Sequence, residues 1–250
     1  MFTTTKKDWD LAPVVVERYK LIFFTIPRIG ANTWKRAFRR MEGHDDWKDI
    51  TATLPHDPQQ NGLKYLYHYS IEEASAMMTS DKWTRAIFVR NPKDRFMSVY
   101  NEYKKYSLPL IALCCPTSGD CHHATKSFKR FLHLMKDCHA SHWNPQSDRM
   151  DTKYWSQINF VGHLESAQQD SEKLLKQIGA WEDIGQSGWG ISGNESIFTP
   201  SGNEYNSVWS AMADYSSSVD KLVEKYYDKD YKNDFLKFPK TPNVLLVKQK

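Results

Sequence analysis

Two short segments of this 250-residue chain place cationic side chains beside hydroxyl groups, where they could bind anions. The first is the turn of residues 28–33, which lies between a short apolar run and an amphipathic segment, residues 34–41. A strand, a tight turn and a helix in that order leave the first helical N–H groups unpaired and place partial positive charge there. Arg28 adds a charged donor and Thr33 adds a hydroxyl, so the turn predicts a phosphate site. The alternative is an ordinary connection between a strand and a helix, with Arg28 at the surface.

The second segment joins Arg90, at the carboxyl end of a predicted strand, to a hydroxyl on the helix that follows. Asn91 is a suitable N-cap and Pro92 stands at the first helical position, so a helix is predicted to start here. Arg95 and Ser98 are three residues apart and share one side of that helix. Arg90 and Ser98 could therefore converge on a second phosphate. The alternative is that Arg90 pairs with a local carboxylate and Ser98 faces solvent.

Neither segment has the pattern of an ATP-hydrolysing phosphate site. A Walker A loop requires G-x-x-x-x-G-K-[ST], whereas this turn has a single glycine, Gly30, and no lysine before Thr33. P-loop enzymes also keep an Asp near such a strand end to hold Mg²⁺, and this chain has Arg90 there. We therefore expect direct contact between the anion and protein cations, with no metal, and a nucleotide kinase is disfavoured.

Apolar runs alternate with helical patterns along the chain, which predicts right-handed crossovers and a mainly parallel central sheet flanked by helices. The predicted strands are residues 21–26, 63–68, 85–90 and 158–162, with an edge strand at residues 14–16. The predicted helices are residues 34–41, 70–78, 92–106, 128–138 and 166–178, and a last helix capped by Ser217 and Asp220. Residues 107–127 and 185–206 are expected to be loops. The fold class is α/β, and residues 1–250 are assigned to a single domain.

The composition is that of a globular protein, with 40% hydrophobic and 26% charged residues. The formal net charge of +4 suits an anionic cofactor or substrate but is too small to predict nucleic-acid binding. No apolar stretch reaches the roughly 18 residues of a membrane span, and the N-terminus lacks a signal-peptide core. We therefore expect a cytoplasmic protein or a catalytic domain separated from its anchor. The sequence predicts no oligomeric state.

The four cysteines fall within one short segment of the chain. They are Cys114, Cys115, Cys121 and Cys138. Because their spacing matches no C-x-x-C pair, a zinc site is disfavoured, and local disulfides or free thiols are expected. Clustered cysteines are compatible with an oxidising compartment.

The two anion-binding segments together resemble the cofactor signatures of the sulfotransferases that use 3′-phosphoadenosine-5′-phosphosulfate (PAPS). Residues 27–36, PRIGANTWKR, are similar to the 5′-phosphosulfate loop of the Golgi carbohydrate group, which includes chondroitin 4-O-sulfotransferases. Residues 90–100, RNPKDRFMSVY, fit that family's R-x-P-x-x-R-x-x-S-x-Y pattern for the 3′-phosphate. Three further segments resemble family landmarks, so the resemblance covers about residues 20–238. They are residues 142–146, 159–165 and 226–231.

The resemblance implies the P-loop kinase-like sulfotransferase fold, PAPS as donor, adenosine 3′,5′-bisphosphate as product, and no metal. It also implies that Arg90 and Ser98 hold the 3′-phosphate, while the turn and the start of its helix hold the 5′-phosphosulfate. The residues assigned to the cofactor are Arg28, Ile29, Gly30, Ala31, Asn32, Thr33, Trp34, Arg90 and Ser98. The family usually has Lys directly after the loop proline, where it stabilises the departing phosphate. This chain has Arg28, which we assign the same electrostatic role because arginine is also cationic and can fork across two oxygens.

An acceptor hydroxyl must also lose its proton, and a histidine or a carboxylate is the usual proton acceptor. We expect His68 to be the base because it ends a predicted central strand, where open α/β sheets bind ligands. It also precedes Arg90 at a spacing similar to that of the catalytic histidine in heparan sulfate 2-O-sulfotransferases. The alternative interpretation of His68 is a core or rim histidine with one backbone hydrogen bond. His142 and Glu165 are the other candidates, as bases or as acceptor-binding groups.

The resemblance favours a carbohydrate hydroxyl as the acceptor, with the Golgi lumen as the alternative location. A small-molecule alcohol or phenol, or a tyrosine in a protein, stays open as acceptor. Two other functions also stay open: a P-loop kinase that uses ATP, and a glycan-binding module that has lost turnover, which Arg28 would suggest.

Overall fold

The computed structural model of the chain describes residues 11–48, 56–106, 114, 123–199 and 216–238. These residues contain a five-stranded sheet with the order β3-β1-β2-β4-β5. The strands are β1 (Val14–Val16), β2 (Leu21–Phe24), β3 (Lys64–Tyr65), β4 (Thr84–Val89) and β5 (Phe160–His163).

Four of the five strands run in one direction, which confirms an α/β fold with a mainly parallel sheet. β2 pairs in parallel with β4, and β4 pairs in parallel with β5. β1 alone runs the other way, because it is antiparallel to both β2 and β3. The carboxyl ends of β2, β4 and β5 therefore meet at one edge of the sheet, as a ligand site of this fold class requires.

Two strand predictions were wrong in position. The valines of β1 are fully buried between β2 and β3, so β1 is an internal strand and not an edge strand. The run at residues 63–68 supplies only the two-residue edge strand β3, after which Leu66–His68 turns into a 3₁₀-helix. The turn begins there because the Tyr65 N–H is bonded by a side chain, the His68 Nδ1, at 3.2 Å. His68 thus follows an edge strand and not a central one.

Helices connect the strands and flank the sheet. They are α1 (Ala31–Met41), α2 (Ile71–Thr79), α3 (Pro92–Tyr106), α4 (Phe128–Asp137), α5 (Ala167–Gln177), α6 (Ser217–Tyr226) and α7 (Asp228–Lys232).

Side-chain caps explain where several of these helices begin. Ser70 and Glu73 form the predicted capping box of α2, in which each side chain accepts a backbone N–H of the other residue. Asn91 caps α3 as predicted, since its Oδ1 accepts the Lys93 N–H at 3.0 Å. The predicted cap of α6 was wrong by one residue, because Ser216 accepts the Val219 N–H and thus precedes the helix.

Two hydrophobic clusters hold the elements together. One lies against the sheet, where the α1 residue Trp34 contacts Phe23 of β2 and Phe88 of β4 at ring-centroid distances of 4.9 and 4.8 Å. The other cluster joins α3, α4 and α6 through buried aromatic and aliphatic side chains. Its buried Tyr227 donates a hydrogen bond to the Trp143 carbonyl at 2.8 Å. The buried face of α3 is therefore held against α4 and α6.

A disulfide between Cys114 and Cys138 confirms that the cysteine segment forms a local bridge. Cys115, Cys121 and most of the predicted loop of residues 107–127 lie outside the described residues, as does the end of the predicted loop of residues 185–206. Within the ranges given above, no helix is long and apolar enough to cross a membrane. No group of three or more His, Cys, Asp or Glu side chains in those ranges is arranged to hold a metal ion.

Candidate functional site

The turn between β2 and α1 has the backbone of an anion-binding loop. Arg28 and Gly30 both have positive φ, at 71° and 70°, so the chain passes through the left-handed region twice before α1 begins at Ala31. Gly30 is the N-cap, and no side chain caps the N–H groups of Ala31–Thr33 from that position. These donors lie at the positive end of the α1 dipole, as the sequence predicted. The helix begins three residues earlier than the predicted residue 34.

The Arg28 side chain crosses from this turn to α3. Its Nη2 donates to the Ser98 hydroxyl at 2.7 Å, and its Nη1 forms an ion pair with the Glu102 carboxylate at 2.5 Å. The third donor, Nε, is buried and has no hydrogen-bond partner among the described residues. The structure therefore brings together Arg28 and Ser98, which the sequence had placed in two separate phosphate sites. Glu102 was not identified from the sequence.

Arg95 fixes the turn relative to α3 and to the loop that carries His142. Its fully buried guanidinium donates to three carbonyls: Pro27 at 3.3 Å, Asn144 at 2.8 Å and Ser141 at 2.8 Å. Burial lowers the pKa of Arg95, but the three carbonyl dipoles solvate the cation. From the sequence, Arg95 was predicted only to share one side of the helix with Ser98. The signal that could have identified it is the spacing R-x-P-x-x-R, which places a second arginine, Arg95, in the first turns of the helix after Arg90.

The end of β4, where Arg90 is found, is held by side chains from other segments. The Gln146 amide accepts the Arg90 N–H at 2.9 Å and donates to the Arg90 carbonyl at 2.8 Å. The buried Asp230 carboxylate in turn accepts N–H groups of Gln146 and Ser147, at 3.0 and 2.8 Å. Arg90 thus stands at the carboxyl end of β4 as predicted, on a rigid backbone. Gln146 and Asp230 were missed as positioning residues.

Two carboxyl groups lie near Arg90. Glu165 accepts the Asn91 N–H at 2.7 Å at the start of α3. Desolvation raises the pKa of the Glu165 carboxyl, although the residue keeps exposed surface, and it raises the pKa of Asp94 as well. The positive charge of Arg90 opposes both shifts. Glu165 therefore contacts the second phosphate segment, and Arg90 interacts with the local carboxyl groups that the sequence left as its alternative partners.

His68 and His142 lie in different settings. β1 separates β3 from β2, so His68 follows a strand about 10 Å from the strand that carries the Arg28 turn. Its Nδ1 accepts the Tyr65 N–H, so the neutral ring carries its proton on Nε2, and burial lowers its pKa. His142 is half-buried between Ser141 and Asn144, the two loop residues that Arg95 binds. Arg95 thus links the His142 loop to the Arg28 turn.

The Phe198 ring packs against the turn at Gly30 and Trp34. This residue was not identified from the sequence. Its ring lies 5.4 Å from the Trp34 ring, between centroids, and a methyl group added at Gly30 would come within 2.6 Å of it. Phe198 also has a positive φ of 57°, which is rare for an aromatic residue. The predicted loop of residues 185–206 therefore includes a segment that packs directly on the candidate anion site.

Comparison with known proteins identifies the relatives of this chain. The sequence model described as "Sulfotransferase family" matches residues 13–240. Human carbohydrate sulfotransferase 9 is 22% identical over 193 residues, which cover 68% of this chain and 41% of the relative. Rat carbohydrate sulfotransferase 11 is 25% identical over 197 residues, covering 68% and 54%, respectively. The carbohydrate sulfotransferase 10 of Xenopus laevis is 22% identical over 194 residues, covering 66% and 52%. The chain spans about half the length of the curated relatives it matches, and no solved structure matches it significantly.

Proposed function

Because the chain belongs to the Sulfotransferase family, we propose that it transfers the sulfuryl group of PAPS to a hydroxyl of a carbohydrate acceptor. The observation that supports this most strongly is the contact of Arg28 with Ser98, which joins the turn after β2 to the second anion segment. A donor with anionic groups on both the 3′ and the 5′ positions of one ribose would need two such anion sites side by side. The carbohydrate acceptor is proposed because the relatives are named carbohydrate sulfotransferases.

The residues of the turn suit the 5′-phosphosulfate of this donor. Gly30 takes a left-handed conformation, and the N–H groups of Ala31–Thr33 belong to the first turn of α1, where helix geometry leaves such donors without a partner in the helix. The Trp34 N–H, which was also assigned to the donor from the sequence, is instead bonded to the Gly30 carbonyl at 3.0 Å. Arg28 adds a cation whose buried Nε has no partner among the described residues, which is the kind of donor an anion would satisfy. Arg90 and Ser98 would hold the 3′-phosphate. When bound, PAPS supplies an activated sulfuryl group with a phosphate as leaving group.

We propose that Arg28 stabilises the charge that develops on the leaving side of the transferring group. Fixed cations and backbone dipoles lower the barrier because they need no reorganisation during the reaction. The guanidinium can reach two oxygens at once, whereas a lysine in this position presents a single compact charge. In-line transfer of this type depends on positioning and charge stabilisation. Arg28 and the N–H groups of the turn would supply both without a metal ion.

The proton of the acceptor hydroxyl is proposed to pass to His68, His142 or Glu165. The geometry favours His142 over His68. The Nε2 of neutral His68 already carries a proton, and its Nδ1 is bonded to the Tyr65 N–H. Glu165 is bonded to the Asn91 N–H at the start of α3. We expect His142→Ala to abolish transfer with nearly unchanged nucleotide affinity, and His68→Ala to retain transfer. If His68→Ala loses transfer and His142→Ala retains it, His68 and not His142 is the base.

The location proposed for this activity is an oxidising compartment such as the Golgi lumen. The Cys114–Cys138 disulfide supports it, because such bonds form and persist in oxidising compartments and are rare in the cytosol. Mass spectrometry of thiol-trapped protein from its native cells would test this. An oxidised pair supports the proposal, and a reduced pair would restore the cytoplasmic prediction.

Transfer itself is tested with ³⁵S-labelled PAPS, a panel of desulfated glycans and a panel of simple alcohols and phenols, with EDTA present. We expect the label on a glycan, and mapping the labelled positions would identify the hydroxyl group that is sulfated. Label on the small molecules alone would contradict the carbohydrate acceptor. In a separate assay with labelled ATP and without EDTA, Mg²⁺-dependent transfer of phosphate would contradict the family-based proposal. Binding of glycan with no label transferred would identify a binding module.

A further inference from the structure

The guanidinium of Arg28 is occupied at both of its terminal nitrogens. Nη1 pairs with the Glu102 carboxylate at 2.5 Å, and Nη2 donates to the Ser98 hydroxyl at 2.7 Å. Ser98 and Glu102 are four residues apart, so both lie on the same face of α3. A single arginine from the turn therefore bridges two consecutive turns of this helix. Of its three nitrogens, Nε is the one with no hydrogen-bond partner among the described residues, and it is buried.

An anion that arrives at the turn meets a carboxylate already bound to the cation it needs. Glu102 and the donor both carry negative charge, and both terminal nitrogens of the guanidinium already have partners in Glu102 and Ser98. The Arg28 and Glu102 side chains are 28% and 26% exposed, so water and ligand reach the pair. A partly exposed ion pair is weak enough to be exchanged for another anion.

We propose that Glu102 is a positioning residue that holds Arg28 against α3 until the donor's anionic groups take its place. This inference rests on the proposed function of the turn as the phosphosulfate site. Binding of the donor then breaks one ion pair and forms another around the same guanidinium. Glu102 consequently lowers the affinity for anions at this site and reserves Arg28 for a ligand with enough charge to displace it.

Calorimetric titration with adenosine 3′,5′-bisphosphate tests the exchange directly. Glu102→Gln removes the charge, and Glu102→Asp keeps the charge but withdraws it by one methylene group from Arg28. Both variants should bind the bisphosphate about two- to fivefold more tightly than wild type, because the competing contact is lost in each. Tightening in Glu102→Gln alone would show an effect of net charge and would overturn the exchange. Unchanged or weaker binding in both variants would overturn it too.

Glu224→Gln is the matched control. Glu224 also pairs with a cation of α3, Lys93, at 2.6 Å, and the substitution changes the net charge by the same amount. Its affinity for the bisphosphate should equal that of wild type. Equal tightening in Glu224→Gln and Glu102→Gln would mean that the overall charge of the protein, and not the Arg28 contact, sets the affinity.

Kinetics and folding separate this role from a structural one. We expect Glu102→Gln to lower KM for PAPS, so kcat/KM rises, whereas loss of a purely structural contact would lower both kcat/KM and the midpoint of thermal unfolding. Thermal unfolding of both variants with and without bisphosphate shows that they are folded. Wild type that fails to bind the bisphosphate would refute the proposed function itself. Binding by wild type with unchanged variants refutes only the exchange.

Discussion

Replacement of Arg95 by methionine should both destabilise the protein and weaken nucleotide binding at the candidate site. The side chain is 1% exposed, and its guanidinium donates to three backbone carbonyls, those of Pro27, Asn144 and Ser141. Hydrogen bonds that involve a charged group contribute about 1.5–3 kcal/mol each, and removal of the buried cation recovers part of its desolvation cost. We therefore expect Arg95→Met to lower the free energy of unfolding by about 3 kcal/mol.

Arg85→Met is the control for this prediction. Arg85 is also buried and also donates to three backbone carbonyls, those of Gln157, Ser80 and Trp83, but at the amino end of β4. Urea denaturation should show a similar loss of stability in both variants. Only Arg95→Met should also weaken binding of adenosine 3′,5′-bisphosphate, because only Arg95 holds the carbonyl next to Arg28. An Arg95→Met protein as stable as wild type, or with unchanged nucleotide affinity, would refute this reasoning.

Three further predictions concern the turn, the Glu165 carboxyl group and the disulfide. Gly30→Ala should cost about 1–2 kcal/mol in urea denaturation for its left-handed φ, plus the clash with Phe198, and Phe198→Ala should relieve only the clash. Because desolvation raises the pKa of Glu165, the free energy of unfolding should fall as the pH rises from the ordinary carboxyl value through the raised one. Glu165→Gln should remove that slope, and denaturation across a pH series measures it. The Cys114→Ser, Cys138→Ser double variant should lose about 3 kcal/mol, as expected for a bridge between cysteines 24 residues apart.

The sequence predicted the elements that position the site because their signals are local. Apolar runs bounded by turn residues marked β2, β4 and β5, and the caps at Ser70 and Asn91 marked the starts of α2 and α3. The turn was predicted from the order of strand, small-residue turn and helix, but the left-handed conformation of Arg28 was not.

The parts that were missed depend on contacts between distant segments. The pairing of β1 on both sides depends on β3, which is almost fifty residues away in the chain, and no local pattern reveals it. The same holds for the Arg28–Glu102 pair and for the Phe198 ring over Gly30. His68 was assigned to a central strand because its run is apolar, but Lys64 is exposed and the strand lies at the edge.

We predict that this chain has a site for a nucleotide phosphorylated at both its 3′ and 5′ positions. Calorimetric titration with adenosine 3′,5′-bisphosphate, beside ATP and ADP and without Mg²⁺, tests it most directly. We predict selective binding of the bisphosphate that is lost in Arg90→Ala and kept in Arg130→Ala, a control at an exposed arginine of α4. Binding of ATP as tight as that of the bisphosphate, or full affinity in Arg90→Ala, would contradict the account.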